Sequence, residues 1–193
     1  MRYGSIAVAG LLAAMSVTQA QTEYQTKVRL EVRPFAGMFV PSGTQSLDFK
    51  TASTFGFAAA LELNENAHIL TSAGLTNGHS KIGALMTSDQ TRMWQFDVGA
   101  EFNALNELGS KYLWKPFVGV GAGVRSFSFE EPGVASSSCA AGYASVGSEL
   151  QRNAVAVRLE GRSYVSCFKN PLNSETTFRS DFSFMFGFAY HIT

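Results

Sequence analysis

The closing stretch Phe182-Ser183-Phe184-Met185-Phe186-Gly187-Phe188-Ala189-Tyr190-His191-Ile192-Thr193 alternates side chains of two kinds without a break. Successive side chains of a strand point to opposite faces. Phe182, Phe184, Phe186, Phe188, Tyr190 and Ile192 therefore share one face, and Ser183, Met185, Gly187, Ala189, His191 and Thr193 share the other. The pattern predicts a two-faced ribbon whose aromatic side suits lipid.

Working back from this strand, seven further stretches of roughly ten residues repeat the pattern, the weak signal expected of membrane-spanning strands. The first, about Lys27 to Val40, sets Val28, Leu30 and Val32 against Arg29, Glu31 and Arg33, and Pro34 predicts a bulge. The second, Thr54 to Asn64, sets Phe55, Phe57, Ala59, Leu61 and Leu63 against Gly56, Ala58, Ala60 and Glu62; the third, Ala67 to Leu75, offers Ile69, Ala73 and Leu75. In the fourth, Trp94, Phe96, Val98, Ala100 and Phe102 oppose Gln95, Asp97, Gly99, Glu101 and Asn103. The fifth, Leu113 to Phe129, sets Val118, Val120, Ala122 and Val124 against Gly119, Gly121, Gly123 and Arg125. The sixth, Ala140 to Leu150, sets Ala144, Val146 and Leu150 against Tyr143, Ser145, Gly147 and Glu149, and in the seventh Val155, Val157, Leu159 and Val165 oppose Ala156, Arg158, Glu160, Arg162 and Tyr164.

Long polar connections, Pro41 to Ser53, Thr76 to Gln90, Glu130 to Ser138 and Phe168 to Ser180, alternate with short ones at Asn64 to Asn66 and Arg152-Asn153; only Ala104 to Lys111 breaks the rule. This predicts an all-β fold, an eight-stranded antiparallel up-and-down barrel with both termini on the short-turn side. At the start of the chain, Arg2, the apolar run Ile6 to Val17 and Thr18-Gln19-Ala20 read as a secretory signal over residues 1–20, cleaved before Gln21. One domain of about 170 residues, 21–193, follows. The 15 basic and 15 acidic residues balance, so nothing in the charge points to nucleic acid.

Volume and charge decide which face is inside. An eight-stranded barrel has little interior room, so Gly, Ala and Ser fit there and rows of Phe do not. The predicted lipid-facing aromatics are Trp94, Phe96, Phe102, Phe182, Phe184, Phe186, Phe188 and Tyr190. The opposite face carries Arg29, Arg33, Lys115, Arg125, Arg158 and Arg162 against Glu31, Glu62, Asp97, Glu101, Glu149 and Glu160, an even balance that predicts an internal pairing network. Each Arg or Lys turned to lipid at mid-depth would cost about 2–4 kcal/mol, which enforces the register. A lumen filled this way conducts poorly, and wide aqueous channels belong to barrels of about 16–18 strands.

Arg33-Pro34-Phe35-Ala36-Gly37, Lys115-Pro116-Phe117-Val118-Gly119-Val120-Gly121 and Gly187-Phe188-Ala189-Tyr190-His191-Ile192 resemble segments of small bacterial outer-membrane β-barrel domain proteins of the OmpA/OmpX type. The resemblance implies a Gram-negative outer-membrane location with periplasmic termini, contact with membrane lipid and lipopolysaccharide, and insertion by the barrel-assembly machinery. Such barrels end on an aromatic that this machinery reads, whereas this chain ends on Thr193. The implied roles are structural, barrier or surface-interaction (adhesion-type). The alternatives are a narrow conduit for small or apolar solutes and a lipid-modifying hydrolase or acyltransferase.

Cys139 and Cys167, the only cysteines of an exported chain, lie almost symmetrically about Arg152-Asn153 and predict a disulfide. Strict alternation puts them on opposite faces, so the bond requires a one-residue bulge or slip. Gly119-Val120-Gly121-Ala122-Gly123 fails the dinucleotide spacing at Val124 and reads as lumen-side glycines in a strand. His68, His79 and His191 sit on separate stretches without metal-ligand spacing, so neither metal nor cofactor is expected. The best nucleophile–base pair, His79-Ser80, is adjacent in sequence and poorly placed for catalysis, and no catalytic residue is assigned. Phe49, Lys50, His79, Lys81, Phe168, Lys169 and Arg179 in the long loops are candidates for a surface partner, although solvated rim residues have the same composition.

Overall fold

A strand with one apolar face still has two hydrogen-bonding edges to satisfy, and this chain satisfies them by closing on itself. The computed structural model describes residues 29–42, 50–80, 89–108, 111–129, 136–169 and 176–192. They form β1 (Leu30–Pro41), β2 (Ala52–Asn64), β3 (Ala67–Ser80), β4 (Asp89–Asn103), β5 (Asn106–Leu108), β6 (Tyr112–Phe129), β7 (Ser137–Arg152), β8 (Val155–Lys169) and β9 (Thr176–Ile192). All pairings are antiparallel, β1 pairs with both β2 and β9, and β4 pairs with β6, which closes an eight-stranded barrel. The signal segment and Thr193 lie outside the described residues.

The register fixes the barrel's shape. Stepping across the strands from Leu30 leads through Leu61, Ile69, Ala100, Val120, Ala144, Ser163 and Phe182, and returns to β1 at Val40, ten residues further on. With about 3.3 Å per residue and about 4.8 Å between strands, that stagger tilts the strands by about 40° and leaves an interior only wide enough for side chains.

The structure revises the expected organisation in three places. No bulge occurs at Pro34: β1 and β9 keep one register along their length, and Arg33 and Pro34 are simply missing from that ladder. Proline has no N–H to give. The irregularity lies instead in the β2–β3 hairpin, between Glu62 and Asn64. Second, the long connections are shorter than their polarity suggests, because β3 runs on to Ser80 while β4 starts at Asp89, and β9 starts at Thr176. Third, the anomalous Ala104 to Lys111 stretch holds β5, which pairs with Tyr112–Trp114 in the register of β4. The β4–β6 connection is thus a hairpin that runs on past Phe102, the last β4 residue paired with β3.

Those other turns are Glu65-Asn66 and Asn153-Ala154. Asn153 has φ 55°, the left-handed region that Asn tolerates better than most residues.

Candidate functional site

Alternation sorts β9 cleanly: Phe182, Phe184, Phe186, Phe188, Tyr190 and Ile192 are 43–57 % exposed, whereas Ser183, Met185, Ala189 and His191 are at most 9 % exposed. Trp94, Phe96 and Phe102 also point outward from β4. Not every aromatic follows. Phe39, Phe117 and Phe127 are buried inside, a correction to the expectation that phenyl groups belong outside.

Glycine explains how the lumen takes them. A Cβ on Gly147 would lie 2.1 Å from Phe117 Cζ, and one on Gly121 would lie 2.4 Å from Tyr143 Cε1 and 2.5 Å from the Val98 carbonyl oxygen. A Cβ on Gly99 would meet the Tyr143 hydroxyl at 2.2 Å. Gly99, Gly121 and Gly147 are therefore the sockets for rings arriving from neighbouring strands. Gly121→Val is expected to cost about 1–3 kcal/mol by overpacking. Chemical unfolding should register that loss, and Tyr143→Ala in the same chain should relieve part of it.

The rings stack with guanidinium groups. Arg158 Cζ lies 3.5 Å from the Phe117 centroid, Arg125 lies 3.8 Å from that of Tyr164, and Arg162 lies 4.8 Å from that of Tyr143. Between these layers, acids and bases alternate along the axis. Arg33 donates to Glu31 at 2.5–2.8 Å and to Glu101 at 3.1 Å. Arg158 donates to both oxygens of Glu101, to Glu149 at 3.5 Å and to Glu160 at 3.2 Å. Arg162 donates to Glu160 at 2.5 Å, to Ser72 at 3.1 Å and to Asp97 at 3.4 Å, and the Tyr164 hydroxyl donates to Asp97 at 2.9 Å. Arg125 donates to Asp181 at 2.5 Å. Lys115 faces Glu149 directly across β6–β7, 3.8 Å away.

Arg29 stands apart from this network. It is half-exposed at the rim and reaches Glu62 at 3.7 Å, so the expected lumen position is corrected to a rim position. Sequence reasoning missed Asp181 and Arg179, which are buried inward-facing residues of β9 rather than loop residues. Their odd numbers match Ser183 and Met185, a signal visible once the strand is extended beyond Phe182. The two additions carry opposite signs and keep the lumen balanced.

Above the charged layers, Phe39, Ala52, Met93 and Phe127 form an apolar cap with Phe129 packed against it. The two cavities described, one beside Arg33, Arg158 and Met185 and one at the long-loop rim between the cap and Lys50 and His79, are each about 20 Å³, room for about one water.

Cys139 and Cys167 form a disulfide with Cα atoms 5.6 Å apart. β7 and β8 hold one register up to Ala141–Ser166, the last pair of that ladder, and the bond joins the strands just beyond it, where Cys139 and Cys167 stand one residue out of that register. Removing it with paired Cys→Ser changes should cost about 2 kcal/mol, the low end for a disulfide, because the Asn153-Ala154 turn already shortens the loop it closes. Unfolding with and without reductant measures this.

Of the remaining candidates, Lys50 and His79 are exposed at the long-loop rim, Phe49 and Lys81 lie outside the described residues, and His79-Ser80 belongs to β3. His68 and His191, far apart in sequence, both approach Glu31, at 3.6 and 2.8 Å.

A closed eight-stranded barrel with a plugged, charged lumen and an apolar exterior defines the small outer-membrane barrel fold. The comparisons agree. The crystal structure of Neisserial surface protein A superposes with a TM-score of 0.60 at 12% identity, covering 83% of this chain and 96% of that chain. The N-terminal β-barrel domain of Pseudomonas aeruginosa OprF gives 0.53 at 10% identity, covering 85% and 97%. No protein-family model and no curated protein matches the sequence.

Proposed function

We propose that this protein is a closed barrel of a bacterial outer membrane, with periplasmic termini and a structural, barrier or surface-interaction role rather than bulk transport. The observation that carries the reading is the charge ladder from Glu31 to Asp181, which fills the lumen with paired side chains. The cavity beside Arg33 and Arg158 has room for about one water, at about 20 Å³.

The outer wall supports the membrane reading. Outward side chains are apolar from Leu30 to Val40, from Phe55 to Leu63, from Trp94 to Phe102, and from Phe182 to Ile192. Each run is nine to eleven residues, or about 25 Å along the axis at this tilt, the height of an outer-membrane apolar band. Ser53, Arg92 and Ser180 follow at the same upper edge, where the wall turns polar. Lipid and lipopolysaccharide are then its surroundings, and the assembly machinery its route in.

Two measurements test the reading. Folded protein in planar bilayers is expected to show no open-channel steps of porin size, and steady large steps would overturn a closed lumen. Membrane fractions washed with carbonate are expected to retain the protein, and release by the wash would overturn the membrane location. A surface partner engaging the long-loop rim would be lost on deleting residues 81–88 while the barrel stays folded.

A further inference from the structure

The short-turn rim holds two Glu–His pairs side by side. Glu31 faces His191 across β1–β9, and Glu62 faces His68 across β2–β3, so four adjacent strands deliver carboxylate and imidazole to one place. We propose that Glu31, Glu62 and His68, with His191 beside them, form a binding site for a divalent transition-metal cation of zinc's kind.

Glu31, Glu62 and His68 each offer a ligand atom within 4.8 Å of the others. Arg33 occupies Oε2 of Glu31, which leaves Oε1 turned toward the imidazoles. That oxygen belongs to a fully buried side chain and pairs with His191 Nδ1 at 2.8 Å, while His68 Nε2 lies 3.6 Å away. A separation of 3.6 Å is too long for a hydrogen bond. It is close to the spacing of two ligands on one tetrahedral ion, about 3.3–3.5 Å for metal–ligand bonds of about 2.0–2.2 Å.

Behind His68 stands Asn103. Asn103 Nδ2 is 3.3 Å from His68 Nδ1, while Asn103 Oδ1 is buried without a partner. Turning that amide over gives Oδ1 the His68 Nδ1–H, and leaves the Nε2 lone pair aimed at the Glu31 oxygen. Two lone pairs facing each other repel unless a cation sits between them. A carbonyl oxygen behind a ligating histidine is the usual outer support of such a site. Glu62 completes the set at little cost, because its partner Arg29 is half-exposed and such pairs contribute little. Imidazole with carboxylate suits zinc better than calcium or magnesium, which prefer all-oxygen sites.

A bound ion would tie β9, β1, β2 and β3 together across the closing seam. The test is calorimetric titration of the detergent-folded barrel with zinc chloride, and with cobalt chloride read by visible absorption. One saturable ion per chain is expected, with affinity reduced at least tenfold in His68→Gln and Glu31→Gln and about tenfold in Asn103→Leu. His79→Ala, on the far rim, should bind as the parent does. Absence of stoichiometric binding by the folded parent, or unchanged affinity in His68→Gln, overturns the proposal. Where Glu31→Gln fails to give the heat-modifiable band, His68→Gln and Asn103→Leu decide it.

Discussion

Arg158→Met is expected to lower the stability of the folded barrel by about 3–5 kcal/mol, the usual cost of removing one partner from a buried ionic cluster. Its guanidinium serves Glu101, Glu149 and Glu160 and lies over the Phe117 ring. Without it, three buried carboxylates lose their common counter-charge. Denaturant titration in micelles or bilayers measures the loss. A second change, Glu101→Gln, should make the double variant more stable than the sum of the single losses, because it removes one of the stranded charges. Strict additivity of the two would mean that Arg158 and Glu101 are not coupled, contrary to their contact.

Phe186→Arg places a charge at mid-height of the outer wall and is expected to cost about 2–4 kcal/mol in a bilayer. Phe178→Arg is its control. Phe178 is 81 % exposed and stands beyond Ser180, above the apolar band, so its change should cost at most about 1 kcal/mol. Equal costs at the two positions would place the band elsewhere on the wall.

Much of the fold was legible because side-chain alternation has a period of two and every strand repeats it. Phe182 to Ile192 and Trp94 to Phe102 can be read as strands without knowing their neighbours. The ends of strands were less legible, since Asn77, His79, Arg92 and Ser180 are polar both in a loop and in a wall that rises above the membrane. That ambiguity hid Asp181 and Arg179. Inner aromatics were hidden for a different reason: whether Phe117 fits inside depends on Gly147, thirty residues away in sequence and opposite it across β6–β7. The approach of His68 and His191 to Glu31 likewise depends on which strands close the barrel, information carried by topology and not by local spacing.

The gap at Pro34 has a meaning for assembly. In the finished barrel β1 has no free edge, but β1 and β9 are the two ends of the chain's strand order, so both remain open margins until they meet. Joining them encloses the longest loop in the molecule, the slowest kind of contact to form by chain diffusion. During that interval an exposed strand margin invites pairing with another polypeptide. A proline in β1 withholds one donor from any such partner, and β9 accepts the resulting break by pairing on either side of it, at Leu30–Val32 and Phe35–Pro41. The closing seam is thus where the chain gives up part of its ladder, at a small permanent loss to the finished barrel.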